Sequence, residues 1–527
     1  MKKTLIIISL VLTISFLTPG YMAIAGPVKE RSNQQIFDNT TNEISTMNHY
    51  LEDTTDCSDD ILSYSYISPH TLPLSIPNDP LFDRQWSLHN TGQKQGMEDI
   101  DIDALEAWEI ETGGSEVTIA IIDSGIDFGH PDLIGNIWIN SNEISDNGID
   151  DDLNGFIDDI NGYDFTNTDG DTIPFDRNGH GTLLAGRIAP VSNNNIGISG
   201  ITRDCKIMPL QVIGDSSWQA DIKDIIDALH YAADNGAKII IMTFEGRQYN
   251  QDFQDAINYA YQQGAFICCA AGNEGTSFKR YPGAYENVTT VASLDYNNQR
   301  MIYTYEDVGI NIASNYGDWV DIAAPGVEIY STMPNYHVPL NDVYALDETY
   351  TIATGCCVTV PLVAGVAALV LSKNPDLTPD ELYEVVCGSV DPYDSDKYIG
   401  TGRVNAFKSV TAPEKPEKPI GPVSGRTDSY YTFSTKTQDN EGDKVFFMWD
   451  WGNGNYSEWL GPYDSGEICE TQYKWGQQDE YMVKVRSKDI NDGYSPWSDP
   501  LSVSLPRGKM VHPLSYYLSK LFYLFNE

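Results

Sequence analysis

The middle of the chain alternates between apolar, β-rich runs and amphipathic helical patterns. Ala220–Asn235 repeats apolar residues at the 3.6-residue spacing of one helix face. Asn250–Gln263 is a second helical segment, followed by Gly264 at a C-cap position. Strands that alternate with helices predict an α/β fold, a parallel sheet flanked by helices, with active groups at the carboxyl ends of the strands. The predicted strands are Val117–Ile122, Ile207–Ile213, Ala237–Phe244, Ala265–Ala271 and Val288–Leu294.

The composition and the N-terminus limit where such a chain works. The 527 residues include 76 acidic and 32 basic ones, a formal net charge of −44, which argues against nucleic-acid or anionic-membrane partners. Residues 1–25 are a predicted signal peptide, since Lys2 and Lys3 precede the apolar run Thr4–Leu17 and Ala23–Ala25 offers a cleavage site. We therefore expect a secreted monomer, with a retained N-terminal anchor as the alternative. No later segment is predicted to span a membrane.

Changes in composition divide the chain. A Pro/Lys/Glu-rich linker precedes short alternating strands, such as Lys444–Trp449 and Tyr481–Val485, which predict a small all-β sandwich. Trp449–Gly454 (WDWGNG) and Glu480–Asp489 (EYMVKVRSKD) resemble the polycystic-kidney-disease-type domain common on secreted proteases. The expected limits are 26–77 for a spacer or short pro-segment, 78–410 for the α/β domain, 411–419 for the linker, 420–506 for the sandwich and 507–527 for a C-terminal tail.

Three polar residues stand where acyl-transfer chemistry needs them. Asp123, in VTIAIIDSGIDFGHPDL, ends an apolar strand, where a carboxylate can orient an imidazole. His180, in NGHGTLLAGRIA, lies between glycines that let the backbone pack closely, so we expect its ring to face a cleft. Asn273, in CCAAGNEG, follows a buried strand. Each residue alone could be structural, but Asp123 and His180 stand in the order of the first two members of an Asp, His, nucleophile triad.

These motifs, together with NDPLFDRQW, AAPG and TGRVNA, resemble the subtilisin-like serine proteases, or subtilases, over about residues 78–410. The resemblance implies a subtilisin-like fold and peptide-bond hydrolysis of an extracellular protein or peptide. It also implies that Asp123 orients His180, that His180 is the general base, and that the Asn273 side chain donates to the oxyanion.

The nucleophile motif departs from the family pattern. Gly355–Gly365 reads GCCVTVPLVAG, which places Cys357 at the position of the family's serine and Cys356 at the neighbouring threonine. Leu362 stands where a histidine is common. The substrate-facing strand usually ends in Ser-x-Gly, and in this chain those three positions are Thr243, Phe244 and Glu245. The bulk and charge of Glu245 argue against ordinary pairing with a substrate.

Two interpretations of this pattern remain open at the level of sequence. In the first, Cys357 is a thiol nucleophile favoured by a helix N-terminus and by His180. In the second, the domain is an inactive pseudoprotease that binds extracellular protein or glycan, because a thiol fits poorly in a site shaped for a hydroxyl. A structural surface-layer role is a third, weaker alternative.

Two segments predict structural calcium, which prefers oxygen ligands. NNNIGISG (Asn193–Gly200) resembles the calcium loop of subtilisins. The acidic insert Asn147–Phe165 has a spacing close to an EF-hand loop, without its final glutamate. The candidate ligands of the first site are Asp132, Asn194 and the carbonyls of Ile196 and Ile198; those of the second are Asp150, Asp152, Asn154 and Asp158 or Asp159.

The spacing of the eight cysteines fits neither a disulfide scaffold nor a zinc site. Most of them are expected to be small buried side chains. Because the subtilase fold brings the corresponding strand and helix ends together, a disulfide from Cys356 or Cys357 to Cys268 or Cys269 is a hypothesis.

Overall fold

The computed structural model describes residues 75–166, 172–214, 218–306, 309–344 and 346–506. The predicted signal peptide, nearly all of the predicted spacer, Cys57 and the tail 507–527 lie outside the described residues.

Within the described residues, nine strands form one sheet in the order β12-β13-β9-β6-β5-β4-β1-β3-β2, parallel except for the β12–β13 pair. The five predicted strands are confirmed, with ends within two residues of the prediction. The strands before the linker are β1 (Thr118–Asp123), β2 (Tyr163–Asp164), β3 (Lys206–Gln211), β4 (Ile239–Met242), β5 (Phe266–Ala270), β6 (Thr289–Leu294), β7 (Ile302–Tyr305), β8 (Ile310–Ala313), β9 (Ile322–Pro325), β10 (Ile329–Thr332), β11 (Tyr350–Ala353), β12 (Val390–Asp391) and β13 (Arg403–Val404).

Helices cover both faces of the sheet. The two predicted helices are confirmed, and each begins at a side-chain cap, Asp221 accepting from Lys223 N and Asn250 from Phe253 N. The α-helices are α1 (Ala104–Trp108), α2 (His180–Ile188), α3 (Ile222–Asp234), α4 (Gln251–Gln262), α5 (Pro339–Tyr344), α6 (Val360–Lys373), α7 (Pro379–Gly388) and α8 (Ala406–Thr411). Short 3-10 turns lie at Phe82–Arg84, Ile134–Asn136 and Cys356–Val358.

Alternate residues of the central strands face different layers of the core. Ile119 and Ile121 of β1 pack in the layer that contains α6, and Ala120 and Ile122 pack in the layer that contains α3 and α4. A sheet buried on both faces explains why these strands are continuously apolar in the sequence.

Residues 420–506 form small antiparallel sheets around a separate aromatic core, as the sequence predicted. β14 pairs with β17, and the remaining strands follow the order β16-β15-β18-β19. The strands are β14 (Tyr431–Thr435), β15 (Val445–Asp450), β16 (Leu460–Tyr463), β17 (Cys469–Tyr473), β18 (Glu480–Lys488) and β19 (Leu501–Ser504).

From the sequence, no later stretch is expected to be long and apolar enough to cross a membrane, but one segment meets that description by length and composition. Cys356–Lys373 has 18 residues with a mean hydropathy of 2.0. In the fold, 89% of this stretch is buried inside the protein, so its composition is that of a central core helix.

Candidate active site

The candidate catalytic side chains meet at one edge of the sheet. β5, β4 and β1 are neighbouring parallel strands, so their carboxyl ends lie side by side. Asp123 is the last residue of β1, Thr243 follows β4, and Asn273 lies three residues after β5. This is the edge where the alternating pattern predicts active groups.

Asp123 and His180 form a buried pair. His180 is the first residue of α2, and its Nδ1 lies 2.8 Å from Asp123 Oδ1. The other carboxylate oxygen of Asp123 accepts from Thr243 Oγ1 at 3.3 Å. A carboxylate in this position fixes the orientation of the imidazole and leaves Nε2 for proton transfer.

Burial and the interactions with Asp123 and Cys357 act in opposite directions on the pKa of His180. Burial by itself would lower the pKa of His180, but the charge and hydrogen bond of Asp123, with a further contribution from Cys357, raise it to about 10. Nε2 of His180 nevertheless makes no hydrogen bond of standard geometry within the described residues. The pair therefore favours an imidazolium next to Cys357.

Cys357 and Asn273 face the same small space in front of Gly355. Cys357 lies in the 3-10 turn that precedes α6. A Cβ atom built on Gly355 would lie 3.4 Å from Cys357 Sγ and 3.5 Å from Asn273 Nδ2. Asn273 Oδ1 lies at the same 3.5 Å from that Cβ position and accepts from Cys356 N at 2.8 Å, so the amide is fixed at the edge of this space and its Nδ2 is the group that can donate there. A thiol and an amide donor around one point suit attack on a carbonyl carbon and stabilisation of its oxygen.

The neighbouring thiol has different surroundings. Cys356 is fully buried, and its Sγ donates to Gly272 O at 3.0 Å. Burial raises the pKa of Cys356 to about 12, so this thiol stays protonated. The hypothesis of a disulfide to Cys268 or Cys269 is wrong in this structure, where all four are free thiols and Cys268 and Cys269 face opposite layers of the core.

The prediction that the His180 ring faces an open cleft is also wrong. His180 is 1% exposed and Cys357 is 2% exposed. Cys357 belongs to a cluster of buried apolar side chains that also includes Val338 and Leu340. The physical reason is a tertiary contact, since Val338 and Leu340 pack against Gly179, the residue before His180, and in the cluster of Cys357.

Two buried charged residues next to the site were missed by the sequence analysis. Asp176 accepts from Ser124 Oγ, Thr182 Oγ1 and the backbone N–H groups that begin α2, and so holds the helix that carries His180. Its position four residues before the histidine was the available signal. Arg187, also in α2, donates to Leu183 O and Ile329 O, and burial lowers its pKa to about 9, while the anionic form of Cys357 would favour its cation.

The three predicted substrate-binding residues have buried side chains. Phe244 packs in the core layer of α3 and α4, so a substrate could meet only its backbone. Glu245 is 2% exposed, with its Oε2 3.7 Å from Arg280 Nε. Burial, and then the charge of Glu274, raises the pKa of Glu245 to about 8, although Arg280 acts in the opposite direction. The bulk and charge of Glu245 therefore lie behind the site, against Gly272.

Comparison with known proteins agrees with this fold. The profile described as the subtilase family matches residues 114–407. The chain belongs to the subtilase family. This subtilase is 33% identical to thermitase of Thermoactinomyces vulgaris over 338 residues, which cover 63% of the chain and 99% of thermitase. It is 30% identical to the halolysin-like extracellular serine protease Nep of Natrialba magadii over 340 residues, 64% of the chain and 53% of that protease.

A solved structure gives the same result at the level of the fold. A protease from Pseudoalteromonas arctica superposes with a TM-score of 0.51 at 27% identity. The match covers 64% of this subtilase and 99% of the other chain. The shared part is a subtilisin-like peptidase.

The first candidate metal site of the subtilase lies beside α2. Asp132 accepts from Asn194 Nδ2 at 2.7 Å and from the backbone N–H of Ile198 at 3.0 Å. Ile196 joins the group through its own N–H, which donates to Asn194 Oδ1 at 2.7 Å. Burial raises the pKa of Asp132, and Asp79, whose pKa is raised by burial and further by the charge of Asp132, adds a second carboxylate. Two neighbouring buried acids suit a cation.

The acidic insert brings a different set of carboxylates together than its spacing predicted. Oxygen atoms of Glu143, Asp150 and Asp152 all lie within 4.8 Å of one another. Glu143 was missed because it precedes the loop in sequence. It is 8% exposed, and its Oε2 has no hydrogen-bond partner within the described residues. A buried carboxylate oxygen without a donor, next to two further carboxylates, fits a cation ligand.

The other residues predicted for the insert surround this group. Asn154 donates from its N–H to Asp150 and Asp152, and its Nδ2 donates to Asp159 Oδ2 at 2.9 Å. Asp159 also accepts from Asn140 Nδ2 and Tyr231 Oη. Asp158 turns away and accepts from the backbone N–H groups of Asn147 and Gly148.

Proposed function

We propose that this subtilase is an exported endopeptidase that hydrolyses peptide bonds with the Cys357 thiol in place of the family's serine. The proposal depends on one observation, the 2.8 Å contact of His180 Nδ1 with Asp123 Oδ1 in a site where Cys357 Sγ and Asn273 Nδ2 face the same space. Nothing in that arrangement requires an oxygen nucleophile. Extracellular protein or peptide is the expected substrate, and the relative from Natrialba magadii is named an extracellular serine protease.

The residues supply each proton movement of the reaction. His180 takes the Cys357 proton at Nε2, and the thiolate attacks the carbonyl carbon of the peptide bond. Asn273 Nδ2 donates to the oxygen that becomes negative. His180 then returns the proton to the leaving amine as the C–N bond breaks, which leaves a thioester on Cys357. Water, activated by His180, hydrolyses the thioester and restores the thiol.

A pseudoprotease that binds extracellular protein or glycan is the second candidate. The burial of both His180 and Cys357 favours it, because a site closed to solvent does not admit a peptide without rearrangement. It predicts binding of unfolded peptide without cleavage.

Cleavage of denatured casein by the purified full chain tests the proposal. We expect cleavage that iodoacetamide abolishes and that Cys357→Ala reduces by at least about a hundredfold, the scale of losing a group that acts directly in catalysis. Cys356→Ala is the matched control, since its buried thiol contacts the same turn, and it should keep most of the activity. Casein bound but left intact by the wild type would support the pseudoprotease. Loss of activity in Cys356→Ala alone would show that the nucleophile is misassigned.

We also propose calcium as a structural cofactor at two sites. Asp132, Asn194 and the carbonyls of Ile196 and Ile198 would hold one ion. The second ion would bind Glu143, Asp150 and Asp152, with Asn154 and Asp159 in support. Both ions would neutralise clustered carboxylates and tie loops to the sheet.

The exported state and the limits of the domains are part of the same proposal. A leader at 1–25 with the sequence features of a signal peptide supports secretion. We propose a peptidase domain over 78–410 and a polycystic-kidney-disease-type sandwich over 420–506, separated by the linker 411–419. The antiparallel sheets of residues 431–504 support the second limit.

A further inference from the structure

Residues 333–344, which we call the cover segment, lie between β10 and β11 and contain α5. The segment has one buried and one exposed side. Val338 and Leu340 are buried, whereas His337, Pro339 and Asp342 are exposed. An alternation of this kind shows that the segment packs against the protein along one face.

The buried side of the cover segment packs on the residue that precedes His180. A Cβ atom built on Gly179 would lie 2.6 Å from Met333 Cε, 2.9 Å from Val338 Cγ2 and 3.3 Å from Leu340 Cβ. Only a residue without a side chain leaves room for this contact. The contact brings the apolar face of the segment to the first turn of α2.

Hydrogen bonds fix the segment to the same stretch of chain. Tyr336 Oη donates to Asp176 O at 2.7 Å, and Leu340 N donates to Asn178 O at 3.3 Å. The Tyr336 ring also stacks on Phe175 with a centroid separation of 5.0 Å. The segment is therefore attached to the stretch on the N-terminal side of Gly179 as well as to Gly179 itself.

The consequence is that the reacting atoms are covered. Cys357 shares one apolar cluster with Met333, Val338 and Leu340, and the Tyr344 ring packs against the same cluster. His180 Nε2 is buried, so neither the thiol nor the base is open to a peptide. We propose that the cover segment is a lid over the Cys357–His180 site and that a substrate reaches Cys357 only after the segment has moved.

One polar atom of the cover segment favours opening. Tyr344 Oη is buried without a hydrogen-bond partner among the described residues. Such a group is costly in the closed state, and opening lets water solvate it. The closed state is thus held by apolar contacts and by the Tyr336 and Leu340 hydrogen bonds, against one unsatisfied hydroxyl group.

The test measures access to the thiol and does not depend on cleavage. Iodoacetamide is added to the folded full chain, and the rate of modification at Cys357 is followed by mass spectrometry, with Cys357→Ser to assign the signal. We expect slow modification of the wild type and acceleration of at least about tenfold in Leu340→Ala, which removes buried contacts of the lid. Tyr336→Phe removes only the bond to Asp176 O and should give a smaller acceleration. Leu382→Ala, at a buried leucine of α7 outside this cluster, is the matched control.

Each outcome decides the question. A wild-type rate equal to that of the unfolded chain, or a Leu340→Ala rate no higher than that of Leu382→Ala, overturns the lid. If Leu340→Ala does not fold, Tyr336→Phe with an unchanged modification rate overturns it equally. The lid rests on the proposed function in one point only, namely that the molecule kept from Cys357 is a peptide substrate. Faster modification without casein cleavage would keep the lid and reject the peptidase.

Discussion

The adjacent cysteines Cys356 and Cys357 have different surroundings. Cys356 points into the protein, where Gly272 O accepts from its thiol. Cys357 points to the space that Asn273 Nδ2 also faces. In the sequence the two residues are equivalent apart from their alignment to the family's motif. The side on which each thiol lies is set by the 3-10 turn and could be read only from the structure.

Glu245 gives a prediction of pH-dependent stability. Its folded pKa of about 8 exceeds the ordinary value near 4.5, mainly because burial disfavours the charged form. The folded state then holds this proton more tightly than the unfolded state between these two values, so stability is lost as pH rises from about 4.5 through about 8. Glu245→Gln removes the titration. At pH 5 we expect similar melting temperatures for the variant and the wild type. At pH 9 we expect the free energy of unfolding of the variant to be higher by a few kcal/mol, and its melting temperature to be higher accordingly.

Thermal melts of both proteins at the two pH values check this. Glu286→Gln, at an exposed glutamate, is the control and should follow the wild type at both. A Glu245→Gln variant that is less stable than the wild type at pH 9 would mean that the Arg280 ion pair outweighs the cost of burial.

At the scale of elements, the acidic insert is expected to couple calcium to stability. A ligand that binds only the folded state, at a hundredfold excess over its Kd, raises the melting temperature of a domain of this size by about 5 °C. We expect the melting temperature of the wild type to be higher by that amount in calcium than in a chelator. Glu143→Gln should reduce it, because it removes the charge of the buried carboxylate in the cluster. Differential scanning fluorimetry is sufficient to measure the difference.

Asp146→Asn is the matched control for this loop. Asp146 lies between Glu143 and the first residue of the insert, is exposed and is not part of the carboxylate group. If both variants keep the full calcium shift, the ion does not bind at Glu143, and the site beside Asp132 would account for it.

The sequence predicts the features that arise from local patterns and misses those that arise from contacts between distant residues. The strands and helices follow from local periodicity, and Asp123, His180 and Asn273 follow from their motifs. Glu143 could not be predicted, because it approaches Asp150 through the folding of a loop and not through a fixed spacing. The burial of His180 could not be predicted either, since Val338 and Leu340, which pack on the preceding Gly179, lie more than 150 positions away along the chain.

At the scale of the whole chain, the sandwich is attached to the peptidase part by α7. Arg486 Nη2 donates to Glu384 O at 2.5 Å, and Glu384 Oε2 accepts from Trp497 N at 2.8 Å. Tyr494 N donates to Ser389 Oγ at 2.8 Å. Burial lowers the pKa of Arg486, and its guanidinium lies over the Tyr494 ring with its central carbon 4.8 Å from the ring centroid. These contacts join the two parts at the end of α7, around the half-buried side chain of Arg486.

Removing that side chain should separate the two parts. We expect a single calorimetric unfolding transition for the wild type and two for Arg486→Ala, because the variant leaves Glu384 O without its donor and opens a gap against Gly388. A glutamate-specific endoproteinase should then cut faster after Glu414 and Glu417 in the linker. Arg426→Ala, at an exposed arginine of the sandwich, is the control and should behave as the wild type. One unchanged transition in Arg486→Ala would mean that the Lys373–Glu441 and Lys415–Glu381 ion pairs hold the parts together without Arg486.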